Sequence, residues 1–209
     1  RIRKLVDKID AKNYVAGIVG SQYIIPTIAT WNTIDDIDWS ILPNQFVISV
    51  QAIGGVVVCK DKSKLDIKKA IKKLRKGWGR NYYNQNKEYP YRNLKPRIIT
   101  EQYLEDESGY ELKDYKIFCL RGTQVPFVAT GRQQHDTRFD FFDLEWNPLP
   151  FLNTHPNSGK NLQKPDNFDE MLRVARKLSQ GIPHVRVDLY NVKGKIYFGE
   201  LTFFHNSGW

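Results

Sequence analysis

The chain has 209 residues, of which 41% are hydrophobic and 13% aromatic, enough to build a full core and to exclude a disordered or low-complexity protein. No apolar run reaches the roughly 18 residues of a membrane-spanning helix. The formal net charge of +9, from 32 Lys and Arg against 23 Asp and Glu, suits a polyanionic partner (a nucleotide, a nucleic acid, an acidic glycan or a membrane surface) without choosing among them.

In chain order, residues 1–19 read as a helix with Leu5, Ile9, Tyr14 and Val15 inward. A short strand within residues 21–31 is interrupted by Pro26. Leu42-Pro43 leads into an apolar strand over Phe46–Val50, and Val56–Cys59 returns after a loop containing Gly54-Gly55. The pair predicts a hairpin able to fold over a ligand. From Lys62 to Arg80 Lys and Arg dominate, with Ile67, Ile71, Leu74 and Trp78 at helical spacing. That pattern predicts an amphipathic helix with a basic outer face, either simply solvated or a binding patch. Residues 81–95, rich in Tyr, Asn and Pro, read as an irregular connection and a lobe boundary.

The second half opens with a strand over residues 97–104, and two more are expected over Asp114–Leu120 and Val125–Gly131. Residues 139–146 are aromatic and extended. Asp166 is expected to cap a helix with Phe168, Met171, Leu172, Ala175 and Leu178 inward and Gly181 past its end. Cys59 and Cys119 lie in separate apolar runs without Cys-x-x-Cys spacing, which predicts two buried free thiols in a reducing cytoplasm. Helices and strands mix without βαβ alternation, so the fold class is α+β in two lobes, 1–95 and 96–209.

The chain closes on two alternating strands, 185–190 and 196–203, joined by a turn at Asn191-Val192-Lys193-Gly194. Period two places Arg186, Asp188 and Tyr190 on one face, and Phe198, Glu200 and Thr202 on one face of the partner strand. An Arg and two carboxylates thus project from apolar strands, and buried carboxylates need a metal ion or a cation. The plainer alternative pairs Asp188 with Arg186 or a distant Lys and leaves Glu200 at a solvated edge. His135, His155, His184 and His205 have no metal-ligand spacing, and no nucleophile elbow, His-Glu-x-x-His or P-loop is present.

The closing hairpin resembles the metal-binding strands of ATP-grasp enzymes such as D-alanine:D-alanine ligase, and the wider chain resembles the TupA-like ATP-grasp family. The resemblance is carried by Leu42-Pro43 with Phe46-Val47, Pro96-Arg97-Ile98-Ile99 with Glu101, and Asp114-Tyr115-Lys116 with Phe118-Cys119. Arg132, Asp143 with Trp146, and the two strands around Arg186-Val187-Asp188 and Phe198-Gly199-Glu200 complete it. It implies an ATP-grasp fold with a nucleotide held between two α+β lobes, ATP and Mg²⁺ as cofactors, and amide formation through an acyl phosphate. The same resemblance implies bacterial cell-surface polysaccharide or polymer synthesis, an amino-acid or glycan acceptor, and no specific nucleic acid. It further implies a cytoplasmic protein, with peripheral contact to membrane-associated synthesis machinery at the inner face of the membrane.

By that resemblance Glu101 accepts from the adenine amino group, with backbone groups of Gln102, Tyr103 and Leu104 supplying the other hydrogen bonds. Gly54 and Gly55 give the phosphate-covering loop its freedom. Asp114 holds ribose hydroxyls and Lys116 reaches a phosphate. Asp188, Glu200 and Thr202, in the place of an Asn common among relatives, ligate Mg²⁺. Arg186 and Arg132 neutralise the transferring phosphoryl group. Read without the family, Glu101 is a solvated strand end and Asp114 with Lys116 a surface pair.

One departure matters: Ser49 stands where the family carries a phosphate-contacting Lys. Lys60, Lys62, Lys8 and Lys12 are the candidates to replace it. The departure keeps two alternatives open, a phosphotransferase acting on a sugar hydroxyl and a non-catalytic nucleotide- or glycan-binding relative. The separate N-terminal domain usual in ATP-grasp enzymes has no counterpart in these residues, so substrate selection is expected to depend on residues elsewhere or on a partner.

Overall fold

The computed structural model describes residues 7–51, 55–78, 96–109, 111–132 and 135–203. Residues 1–6, Arg80, the expected connection at 81–95, Gly54 and His205 lie outside them. The chain divides into two compact units, residues 1–11 with 25–103, and residues 12–24 with 104–208. The expected division after residue 95 is therefore displaced. The strand Ile98–Gln102 (β4) pairs antiparallel with Thr27–Trp31 (β1) on one side and Phe46–Val50 (β2) on the other, so backbone hydrogen bonds hold it in the first unit.

The first unit is a four-stranded sheet in the order β1-β4-β2-β3, with Val56–Cys59 as β3. One face packs against the basic helix, which runs over Ile67–Trp78 (α2; the helix Lys8–Val19 is α1). Phe46, Ile48, Val50, Val57, Cys59 and Ile98 form the core with Ala70 and Leu74 of α2. The inward stripe differs from expectation at one end, where Ile67 in the opening turn is 41% exposed. Gly77 is buried in its place near the other end. There the backbone comes close: a Cβ on Gly55, whose φ is +83°, would stand 3.2 Å from Gly77 Cα and 3.2 Å from Lys73 O. The conformational freedom of Gly55 thus serves packing against α2.

The second unit is a six-stranded antiparallel sheet in the order β10-β9-β5-β6-β7-β8. Its strands are Asp114–Leu120 (β5), Thr123–Thr130 (β6), Arg138–Phe142 (β7), Pro148–Leu149 (β8), His184–Val192 (β9) and Lys195–Thr202 (β10). Phe168–Leu178 (α3) covers one face, burying Phe168, Met171, Leu172, Val174, Ala175 and Leu178. Cys119 Sγ lies 3.9 Å from Ala175 O, and Gln124 Nε2 donates to Leu172 O at 2.9 Å. Both cysteines are free and buried. The residue at the N-cap of α3 is Asn167 rather than Asp166, and its amide donates to Gly194 O at 2.8 Å. Among the described residues no helix is long and apolar enough to cross a membrane.

The connection from β4 to β5 is fastened by Asp106, which is 3% exposed. Its carboxylate accepts from Ser108 N at 2.8 Å, Lys113 N at 3.1 Å and Lys113 Nζ at 2.8 Å. Burial opposes its charge, but Lys113 and Ser108 outweigh that and hold the carboxyl below its usual value. A folded-state value below the unfolded one, about 3.9, stabilises the fold above pH ~4 and ceases to do so as the pH falls through the folded-state value. Asp106→Asn is expected to flatten the acid limb of a urea-unfolding series taken across pH. An unchanged slope would show that this carboxylate is not coupled to folding.

Candidate functional site

The face of the six-stranded sheet opposite α3 carries the charges. Cross-strand partners share a face, and Lys116 lies opposite Asp188, which lies opposite Glu200. Phe118, Arg186 and Thr202 form the next row. The closing turn at Lys193 (φ +51°) and Gly194 (φ +79°) is the two-residue type with both φ positive, which matches the twist of a hairpin.

Strict period two fails at one place in the closing hairpin. The register shifts between Phe198 and Glu200, so Gly199 is an extra residue. Phe198 pairs with Leu189 and is 3% exposed on the helix-covered face, and therefore does not share a face with Glu200 and Thr202 as expected. Tyr197, opposite Tyr190, takes that position. The bulge re-aims Glu200 onto the row of Asp188. It also favours glycine, because a Cβ at Gly199 would stand 3.1 Å from Asp188 O and 3.1 Å from the Tyr190 ring, so both would have to give way slightly.

Within this face Asp188 is 2% exposed, Lys116 6%, Arg186 8% and Asp114 1%. Lys116 Nζ bonds Asp188 Oδ2 and lies 3.4 Å from Asp114 Oδ2, which Arg132 also binds. Arg186 Nε donates to Asp188 Oδ1 at 2.6 Å. Its NH2 reaches Asp188 Oδ2 at 2.9 Å, Glu200 Oε1 at 3.0 Å and Thr202 Oγ1 at 3.0 Å. Burial opposes ionisation of Asp188, yet the charges of Lys116 and Arg186 hold its carboxyl below the usual range. Burial likewise opposes the Arg186 charge, and Asp188 and Glu200 outweigh it, raising the guanidinium above its usual value. Asp114 and Lys116 are thus a buried pair, not a surface one. Lys116 is turned to two carboxylates rather than held out for a phosphate.

Asp188, Glu200 and Thr202, the three positions predicted to hold a metal, do converge, and the group at their centre is the Arg186 guanidinium. The plainer sequence alternative is realised with them: Asp188 pairs with both Arg186 and a distant Lys, and the Glu200 side chain, 61% exposed, sits on the edge strand. Among the described residues no three His, Cys, Asp or Glu gather as a metal cluster. Two carboxylates and a hydroxyl nevertheless fit Mg²⁺, which takes hard oxygen ligands and usually keeps waters and substrate phosphates in its shell.

In the first unit Glu101 is 4% exposed, not solvated, and its carboxylate bonds Lys8 Nζ on α1. Gln102 N already donates to Pro26 O at 3.0 Å, so that backbone donor is engaged. The Tyr103 ring faces Lys60 Nζ at 5.6 Å, and Leu104 is buried. Ser49 is 5% exposed on the face that carries Glu101, away from α2. Lys8, one of the four candidates to replace the missing Lys, has its ammonium fixed on Glu101. A pairing across 93 residues carries no local signal in sequence.

Residues 1–209 match the family model described as TupA-like ATPgrasp. The chain belongs to the TupA-like ATP-grasp family. No curated protein matches it. The fold is similar to the D-alanine-D-alanine ligase of Helicobacter pylori, with a TM-score of 0.53 at 14% identity, over 97% of this chain and 55% of that one. It is similar to the N5-carboxyaminoimidazole synthetase of Staphylococcus aureus complexed with ADP, with a TM-score of 0.52 at 14% identity, over 98% and 46%. It also resembles the ATP-grasp ligase PsnB, complexed with minimal precursor, Mg and ADP, with a TM-score of 0.51 at 10% identity, over 97% and 52%. At these identities the likeness shows the ATP-grasp fold, and this TupA-like chain spans about half the length of the solved structures it matches.

Proposed function

We propose that the chain is an ATP- and Mg²⁺-dependent ATP-grasp ligase that joins a carboxylate to an amine through an acyl phosphate. The observation that carries the reading is the convergence of Asp188, Glu200 and Thr202 on one point, now held by the Arg186 guanidinium and beside the buried Lys116, in a chain of this family. Mg²⁺ bound by these oxygens would neutralise nucleotide phosphates. Arg186 binds phosphoryl oxygens once released from the carboxylates, and the half-exposed Arg132 guanidinium reaches the same anion. Lys116 holds Asp114 and Asp188 in place. Glu101, exchanging Lys8 for an adenine amino group, is the proposed base contact, with Tyr103 and Leu104 beside it. The ribose role of Asp114 requires exchange of its Arg132 bond. An amino acid or a glycan intermediate of bacterial surface-polymer synthesis is the proposed acceptor.

Ser49 favours a second reading, a relative that binds nucleotide without turnover, because it brings no charge to its sheet face. Calorimetric titration of ATP with and without Mg²⁺, followed by assay of ADP, phosphate and products with amino-acid and with sugar acceptors, separates the readings. The ligase reading expects Mg²⁺-dependent binding and ADP release that requires an amine. Binding without ADP release under every acceptor supports the second reading, a phosphorylated sugar points to a phosphotransferase, and no binding at all overturns all three.

A further inference from the structure

We propose that the outer face of α2 is a docking surface for an anionic lipid bilayer. At about 100° per residue, Lys68, Lys69, Lys72, Lys73, Arg75 and Lys76 fall within an arc of about 160° on this helix. All six are exposed, and the helix contains no acidic residue. Lys64, just before it, has a side chain 83% exposed and lies 3.4 Å from the Asp61 carboxylate, itself 36% exposed. Ion pairs offset little of this charge. Arg75 meets Asp35 at 2.9 Å and Lys69 meets Asp66 at 3.6 Å, with carboxylates 81% and 49% exposed, so both pairs are largely screened.

The remaining arc settles how the helix can bind. Ala70, Leu74 and Gly77 are buried, and Ile71 and Trp78 pack against the core of the first unit. With its apolar side committed, α2 cannot roll over and insert as free amphipathic helices do. It can only lay a row of cations about 12 Å long against a negative surface. Five of the six are lysines, hydrated point charges suited to a diffuse layer of headgroup phosphates rather than the bidentate fork by which Arg reads bases and single phosphates. Trp78, the one ring on α2, is turned to the core, so the patch offers no platform for base stacking.

Cosedimentation of the full chain with vesicles tests this independently of the ligase reading. Binding is expected to equimolar phosphatidylglycerol–phosphatidylcholine vesicles and not to phosphatidylcholine alone, and it is expected to vanish in about 1 M salt, where the screening length is about 3 Å. Neutralising one lysine near the surface lowers partitioning about fivefold. K68Q/K72Q/K76Q should therefore bind about a hundredfold more weakly with unchanged thermal unfolding. K160Q/K177Q/K193Q, which removes the same charge from exposed sites in the second unit, should stay within a few-fold of the unmodified chain. Absence of binding to the anionic vesicles, equal losses in the two triple variants, or tighter binding to a duplex oligonucleotide than to the vesicles would each overturn the proposal.

Discussion

Asp188→Ala is expected to destabilise the second unit by about 3–5 kcal/mol, well beyond the effect of removing a surface ion pair. The carboxylate is 2% exposed and is shared by two cations that are themselves almost wholly buried, Lys116 at 6% and Arg186 at 8%. Truncation leaves both cations out of water with fewer partners. Lys116 keeps Asp114 at 3.4 Å, and Arg186 keeps Glu200 and Thr202 at 3.0 Å, which places the loss in this range rather than at the cost of an isolated buried charge. Changing both members of the central pair, Lys116→Met with Asp188→Leu, should lose less than the two single changes summed, since apolar groups of similar size replace a buried ion pair at little cost. Urea unfolding of the unmodified chain, Asp188→Ala, the two single changes and the double change measures this. A loss below about 1 kcal/mol for Asp188→Ala would mean that the cluster is solvated, and the burial argument would fail.

How much of this cluster was legible in sequence depends on how far apart its partners lie. Arg186 and Asp188 are two residues apart on one strand, Asp114 and Lys116 two apart on another, and period two puts each pair on a face with no further information. The antiparallel pairing of β9 with β10 was equally visible, because a turn needing two positive φ values reads as Lys193-Gly194. The face of Phe198 was not visible. One extra residue reverses the alternation, and Gly199 shows its role only when Asp188 O and the Tyr190 ring are seen 3.1 Å from where its Cβ would be. The placement of β4 in the first sheet was hidden for another reason. Its partners, β1 and β2, are more than forty residues away in sequence, and apolar strands declare that they are strands without declaring their neighbours. Glu101 shows the same limit. A strand-end Glu is ordinarily solvated, and this one is buried against a half-buried Lys8 on α1.

Arg186→Met is expected to change metal binding and turnover in opposite directions. The Arg186 NH2 group lies 2.9–3.0 Å from Asp188 Oδ2, Glu200 Oε1 and Thr202 Oγ1, and a divalent cation sharing those three oxygens would occupy nearly the same point. The guanidinium and the metal therefore compete for one place. A unit charge about 4 Å away is worth about 4 kcal/mol near a protein surface. The Glu200 side chain is 61% exposed, so solvent screens much of this, and the surviving effect is set at about tenfold in affinity, or roughly 1.4 kcal/mol. Mn²⁺, which takes the same oxygen ligands as Mg²⁺ and is visible by electron paramagnetic resonance, should accordingly bind Arg186→Met about tenfold more tightly than the unmodified chain when no nucleotide is present. ADP release should fall by a factor of a hundred or more, on the order of the loss when one donor to a developing anion is removed. Arg186→Lys should fall between, keeping the charge but losing the fork that spans Asp188, Glu200 and Thr202 together. If Mn²⁺ affinity is unchanged or weaker in Arg186→Met, then the guanidinium does not hold the metal's place, and Asp188, Glu200 and Thr202 serve only to anchor an arginine.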